Sequence, residues 1–141
     1  MSSRRIALGL TMVLLLEGAA CASSPVATAG DPVQPGTWGG EHIGLTVTRA
    51  GAHLEFDCAS GDISVPLGLD ARGRFAVDGI YVPEHPGPVR IGDAAEKKPA
   101  RYAGTVNGRT MTLGVTLVAG NEAVGVFTLT FDAAPRVRKC L

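Results

Sequence analysis

The sequence predicts an all-β domain, an antiparallel meander of about eight short strands closed or nearly closed into a barrel. Three observations carry this. Apolar residues recur at period two along most of the chain after Thr37, the spacing that puts alternate side chains on one face of a strand. The alternating stretches are joined mostly by short glycine, asparagine and aspartate turn signals, which leave no room for crossover helices. No stretch carries the longer period of an amphipathic helix. An open sheet of this many strands would expose two unpaired edges, so closure is preferred, with a two-sheet β-sandwich as the alternative.

Gly36-Thr37-Trp38 opens the first strand, and Ile43, Leu45 and Val47 continue it. Trp38 and Ile43 have opposite parity, which predicts a bulge or bend at Gly39-Gly40. After Ala50-Gly51, Leu54, Phe56 and Cys58 alternate with His53, Glu55 and Asp57, placing the thiol on the inward face. Ser60-Gly61 is read as a turn before a strand through Ile63, Val65, Leu67 and Leu69. Asp70-Ala71-Arg72-Gly73 turns into Phe75, Val77 and Tyr81. The segment "PEHPGPVRIGDAAEKKP", Pro83 to Pro99, holds four prolines and clustered charge, so it is the one large loop. Tyr102 to Val106 leads into Asn107-Gly108, a strong hairpin signal, followed by Met111 to Leu117. Ala119 to Glu122 turns into Val124 to Phe131. Arg136 to Leu141 is the last expected strand, and closure pairs it with the first.

Upstream, residues 1–20 have the three zones of an export signal: Arg4 and Arg5, an apolar run from Ile6 to Leu16, and small residues at Gly18-Ala19-Ala20. The apolar run makes a helix of roughly 16 Å, about half a hydrocarbon core, too short to span it. Gly18-Ala19-Ala20-Cys21 resembles the lipobox of bacterial lipoproteins, although Gly18 stands where leucine is usual and Glu17 adds a charge. That resemblance implies lipidation of Cys21 and a membrane-anchored protein of the cell envelope. Ala20-Cys21-Ala22 also fits ordinary signal cleavage, which implies a periplasmic or secreted one. Residues 21–36, rich in serine, alanine, proline and glycine, read as a flexible tether before a single barrel domain over 37–141.

The chain has three cysteines. Acylation or removal of Cys21 leaves Cys58 and Cys140 as a candidate disulfide, closing a loop of about 83 residues; two separate buried thiols are the alternative. Loss of residues 1–20 leaves the remainder nearly neutral, which speaks against bulk electrostatic binding of nucleic acid.

Gly36-Thr37-Trp38 resembles the Gly-x-Trp signature of lipocalin and avidin type barrels, where the tryptophan plugs one barrel end. "GTWGG", "LEFDCASG", "GRFAVDGIYV", "HPGPVR", "YAGTVNGRTMTLGV" and "KCL" together look like a group of small bacterial exported proteins and lipoproteins with no assigned activity. The resemblance implies a fold and a compartment, and it transfers no catalytic residue.

Chemistry is sparse. His42, His53 and His85 lie in no metal-binding spacing, and His53, Glu55 and Asp57 read as a solvated strand face. Glu84 beside His85 has the types for acid–base work, but flanking prolines favour a rigid connection. Ser60 and Ser64 lack a nucleophile setting, and the glycines precede no helix that would cradle a phosphate. Arg136, Arg138 and Lys139 read as cations that protect a terminal edge strand. The expectation is therefore a monomeric, cofactor-free, non-enzymatic binding module. Its candidate surface is the large loop with Glu84, His85 and Arg90, and its partner a small ligand or an envelope protein. Inhibition of an envelope hydrolase is the alternative.

Overall fold

The apolar parity of the strands becomes the inside of a closed barrel in the computed structural model, which describes residues 30–140. The wall consists of β1 (Gly36–Gly40), β2 (Ile43–Val47), β3 (Ala52–Phe56), β4 (Ala59–Ile63), β5 (Arg74–Pro83), β6 (Lys98–Asn107), β7 (Thr110–Leu117) and β8 (Glu122–Phe131). Each strand pairs antiparallel with the next, and β8 returns to β1 through Trp38↔Phe131, Gly39↔Thr130 and Gly40↔Leu129. That seam rules out the sandwich. Connections 41–42, 57–58, 84–97 and 118–121 crowd one end, called upper; the other connections and the start of the described chain lie at the lower end, whereas the segment after β8 starts at the lower end and finishes at the upper.

Large inward aromatics stand over inward glycines, so the barrel interior is filled. The Tyr102 ring occupies the space where side chains on Gly61 and Gly79 would sit, and the Phe75 ring lies over Gly104. Tyr102 is fully buried and its hydroxyl donates to the Ile80 carbonyl at 2.8 Å. Burial pushes that phenol far above the usual tyrosine range. At the lower end Trp38 packs edge-on against Phe131, centroids 5.2 Å apart, and its indole N–H donates to the Gln34 carbonyl at 3.0 Å. Towards the upper end Phe56 contacts Tyr81 and Phe127, each with centroids 5.5 Å apart.

Several segments differ from their sequence-based expectation. The parity change between Trp38 and Ile43 comes from strand reversal, with Glu41-His42 as a two-residue turn between β1 and β2, and not from a bulge. Cys58 is not an inward strand residue: it sits in the β3–β4 turn with a left-handed φ of 55°, and Ser60-Gly61 belongs to β4. The strand expected through Leu69 ends at Ile63, where the chain leaves the wall to cross the lower end. There it meets residues assigned to the tether. Val33 is 1% exposed and its N–H donates to the Leu67 carbonyl at 2.8 Å, while Leu69 N–H donates to the Asp31 carbonyl at 2.9 Å. The last part of the tether is thus a plug. The turn at "NGRT" is Gly108-Arg109, with Gly108 at φ 58° and Asn107 paired to Thr110 as the end of β6.

Closure does not use the terminal segment. Once β8 has paired with β1, residues 132–140 run as an extended strap over the outside of the barrel. Arg136, Arg138 and Lys139 therefore protect no edge. The Cys58–Cys140 disulfide is formed, its Cα atoms 4.9 Å apart, and it fastens the strap to the upper end. The signal peptide over 1–20 and the lipidation of Cys21 lie outside the described residues.

Candidate functional site

Outward parity on β3 and β4 places His53, Glu55 and Asp62 on one solvent-facing patch, and the strap adds Lys139 to it. His53 Nδ1 lies 2.7 Å from Asp62 Oδ1 and Nε2 lies 2.9 Å from Glu55 Oε1, so the ring can donate to both carboxylates when it is doubly protonated. Those bonds, to Asp62 first and Glu55 second, raise the histidine above its usual range despite partial burial. Lys139 Nζ pairs with Glu55 Oε2 and lies 3.1 Å from Glu84 Oε1. The Lys139 contact, then the His53 contact, holds the Glu55 carboxyl below its usual range. Partial desolvation pulls the Lys139 ammonium down, but the two carboxylates outweigh it and the net shift is upward.

Asp57, expected on the same face, lies instead in the β3–β4 turn. Its Oδ1 accepts the Arg138 backbone N–H at 2.6 Å, its Oδ2 meets His42 Nδ1 at 2.6 Å, and in that order these lower its pKa. These groups are consumed in holding the strap. Among the described residues no three His, Cys, Asp or Glu side chains are arranged to hold a metal ion.

The large loop leaves β5 under tight control and then enters solvent. Glu84 N–H donates to the Cys58 carbonyl at 2.8 Å, and its carboxylate is occupied by Lys139. No hydrogen bond joins Glu84 to His85 among the described residues; the Glu84 carboxylate turns to Lys139. His85 and Arg90 are exposed. Beside Arg90, Val89 is 80% exposed and Ile91 fully so, the two most exposed large apolar residues described. A backbone bond from Asp93 N–H to the Arg90 carbonyl at 3.1 Å turns the chain there.

Among the described residues, two open grooves lie outside the barrel wall. The larger, about 540 Å³, crosses β5, β6 and β7 near the base of this loop and is lined by Asp78, Arg101, Thr116, Val118 and Asn121 among others. Arg101 reaches Asp78 at 3.1 Å across the strand pair. The smaller, about 240 Å³, lies between the strap residues Pro135, Val137 and Lys139 and the wall residues Thr46, His53 and Glu55. Sequence reasoning missed both. Their only advance signal is cross-strand register, which opposes Asp78 to Arg101 and Thr46 to His53.

No family model, curated protein or solved structure matches this chain, so its own geometry carries the functional argument.

Proposed function

We propose that this chain is a non-enzymatic binding protein of the bacterial cell envelope, and that it reads a protein partner with the loop over residues 84–97. The observation that carries this reading is the Val89-Arg90-Ile91 tip. It presents two apolar side chains and a cation to water from a barrel end whose loop root is held by Glu84. Loops on rigid barrels carry recognition, exposed apolar side chains side by side mark interaction surfaces, and arginine is enriched among interface anchors. The filled interior favours a partner at the rim over a small ligand held inside the barrel.

The test is the triple variant Val89→Ala, Arg90→Ala, Ile91→Ala. Loss of a partner that wild-type protein captures from envelope extract, with the melting temperature unchanged, supports the reading; undiminished capture overturns it. Compartment belongs to the same proposal. Lipidation at Cys21 predicts that Cys21→Ser moves the protein from the membrane to the soluble fraction, and a wild-type protein already soluble would instead indicate plain secretion.

A second reading is inhibition of an envelope hydrolase. It is favoured by the proline-braced loop rooted beside the Cys58–Cys140 disulfide, because a protruding stiff loop suits insertion into an enzyme cleft. Lack of any effect of the purified protein on cell-wall hydrolase activity would remove it.

A further inference from the structure

The strap lies on the barrel as a bound peptide would. It leaves β8 at Asp132, held at a left-handed φ of 62°, and crosses a floor of two paired glycines, Gly39 and Gly44. A Cβ on Gly39 would stand 2.2 Å from the Ala133 carbonyl oxygen, and one on Gly44 2.8 Å from the Pro135 ring. Arg136 then makes a matched pair of backbone bonds with the β1–β2 turn. Its N–H donates to the Gly40 carbonyl at 3.0 Å, and its carbonyl accepts from His42 N–H at 2.8 Å. Each basic residue of the strap meets a carboxylate: Arg136 meets Glu41 of the β1–β2 turn, the Arg138 backbone N–H meets Asp57 of the β3–β4 turn, and Lys139 meets Glu55 of β3 and Glu84 at the loop root. The outer face of β1 to β3 is thus a glycine-floored groove, with Glu55 in it and Glu41, Asp57 and Glu84 at its upper rim, that fits an extended basic segment.

We propose that this groove also accepts the strap of a second copy of the chain, giving a strap-exchanged dimer sealed by Cys58 of one copy and Cys140 of the other. Beyond the local turn bond from Ala133 N–H to the Thr130 carbonyl, the strap is held by contacts to β1, β3, the upper turns and the loop root, and these are the same whether the strap arrives in cis or in trans. The hinge is short, with the chain reversing at the left-handed Asp132, and short hinges favour exchange of the segment beyond them. Exchange needs the internal bridge opened first. A dithiol reductant attacks it through a mixed disulfide, leaving Cys58 and Cys140 as thiols and the reductant as its disulfide. A disulfide oxidant then takes two electrons and two protons from the two thiols as the bridge re-forms between copies.

The test mixes two full chains, both carrying Cys21→Ser, one with Cys58→Ser and the other with Cys140→Ser, under oxidised glutathione. The expected product is a heterodimer linked through Cys58 and Cys140, several times more abundant than the two homodimers together, and reduced to the statistical share by Lys139→Ala or high salt. A statistical mixture, or monomers alone, from folded chains overturns the proposal. Should either single-cysteine chain fail to fold, the Cys21→Ser chain with both other cysteines is reduced and reoxidised over a range of concentrations. A linked dimer whose share rises with concentration supports exchange, and monomer throughout overturns it.

Discussion

Gly39 is where a single atom decides the course of another part of the chain. Its partner in β2 is Gly44, and together they leave a gap in the outer wall into which Ala133 and Pro135 settle. Gly39→Ala has to displace strap backbone, and displacing packed backbone costs about 1–3 kcal/mol. The expected outcome is a lower urea midpoint with faster amide exchange at Arg136 and Arg138; unchanged exchange at those amides would mean the strap does not rest on this residue. A Gly-Gly pair is legible in the sequence, but its reading as a bend is wrong for a physical reason. The object that forbids a side chain at Gly39 comes from the far end of the chain, and no local pattern announces it. The inward glycines are similar: Gly61 and Gly79 make sense only once Tyr102 is known to stand over them.

At the scale of elements, β3, β4 and the strap are joined by a single relay, Asp62–His53–Glu55–Lys139. The signs of its two shifts define a pH window. The raised His53 contributes stability that is complete below its ordinary value of 6.5 and is lost as pH rises through its raised value in the fold. The lowered Glu55 contributes stability that is present above its ordinary 4.5 and is lost as pH falls through its lowered value. Both contributions are therefore whole between those ordinary values. His53→Gln should destabilise the barrel more at about pH 5.5 than at about pH 8.5, by a modest amount because the groups are half exposed and screened. Urea titrations at the two pH values check this, and an equal loss at both would exclude His53 as the titrating group. Period-two spacing puts His53 and Glu55 on one face, but it carries no sign of Lys139, whose terminal segment reads from the sequence as a strand.

For the whole molecule, the disulfide and the barrel seam are separate closures. The wall closes through β8 and β1, whereas Cys58 and Cys140, 82 positions apart, close only the strap. Replacing both cysteines by serine should keep the β-sheet circular dichroism while costing stability, with an upper figure of about 4.5 kcal/mol from chain entropy. Thermal unfolding measures the loss, and a collapse of the sheet signal at room temperature would show that the seam depends on the strap. By itself the sequence determined the strand parity, most of the turns, the all-β class and the barrel, because these follow from alternation and turn chemistry acting over a few residues. It also singled out the loop from Pro83 to Pro99, since prolines and charge exclude a tight hairpin. Only the tertiary structure decided that β8 rather than the terminal segment meets β1, that Val33 plugs the lower end, and that the basic tail is a strap. These depend on which distant surfaces meet, and the spacing of residues along a chain carries no record of that.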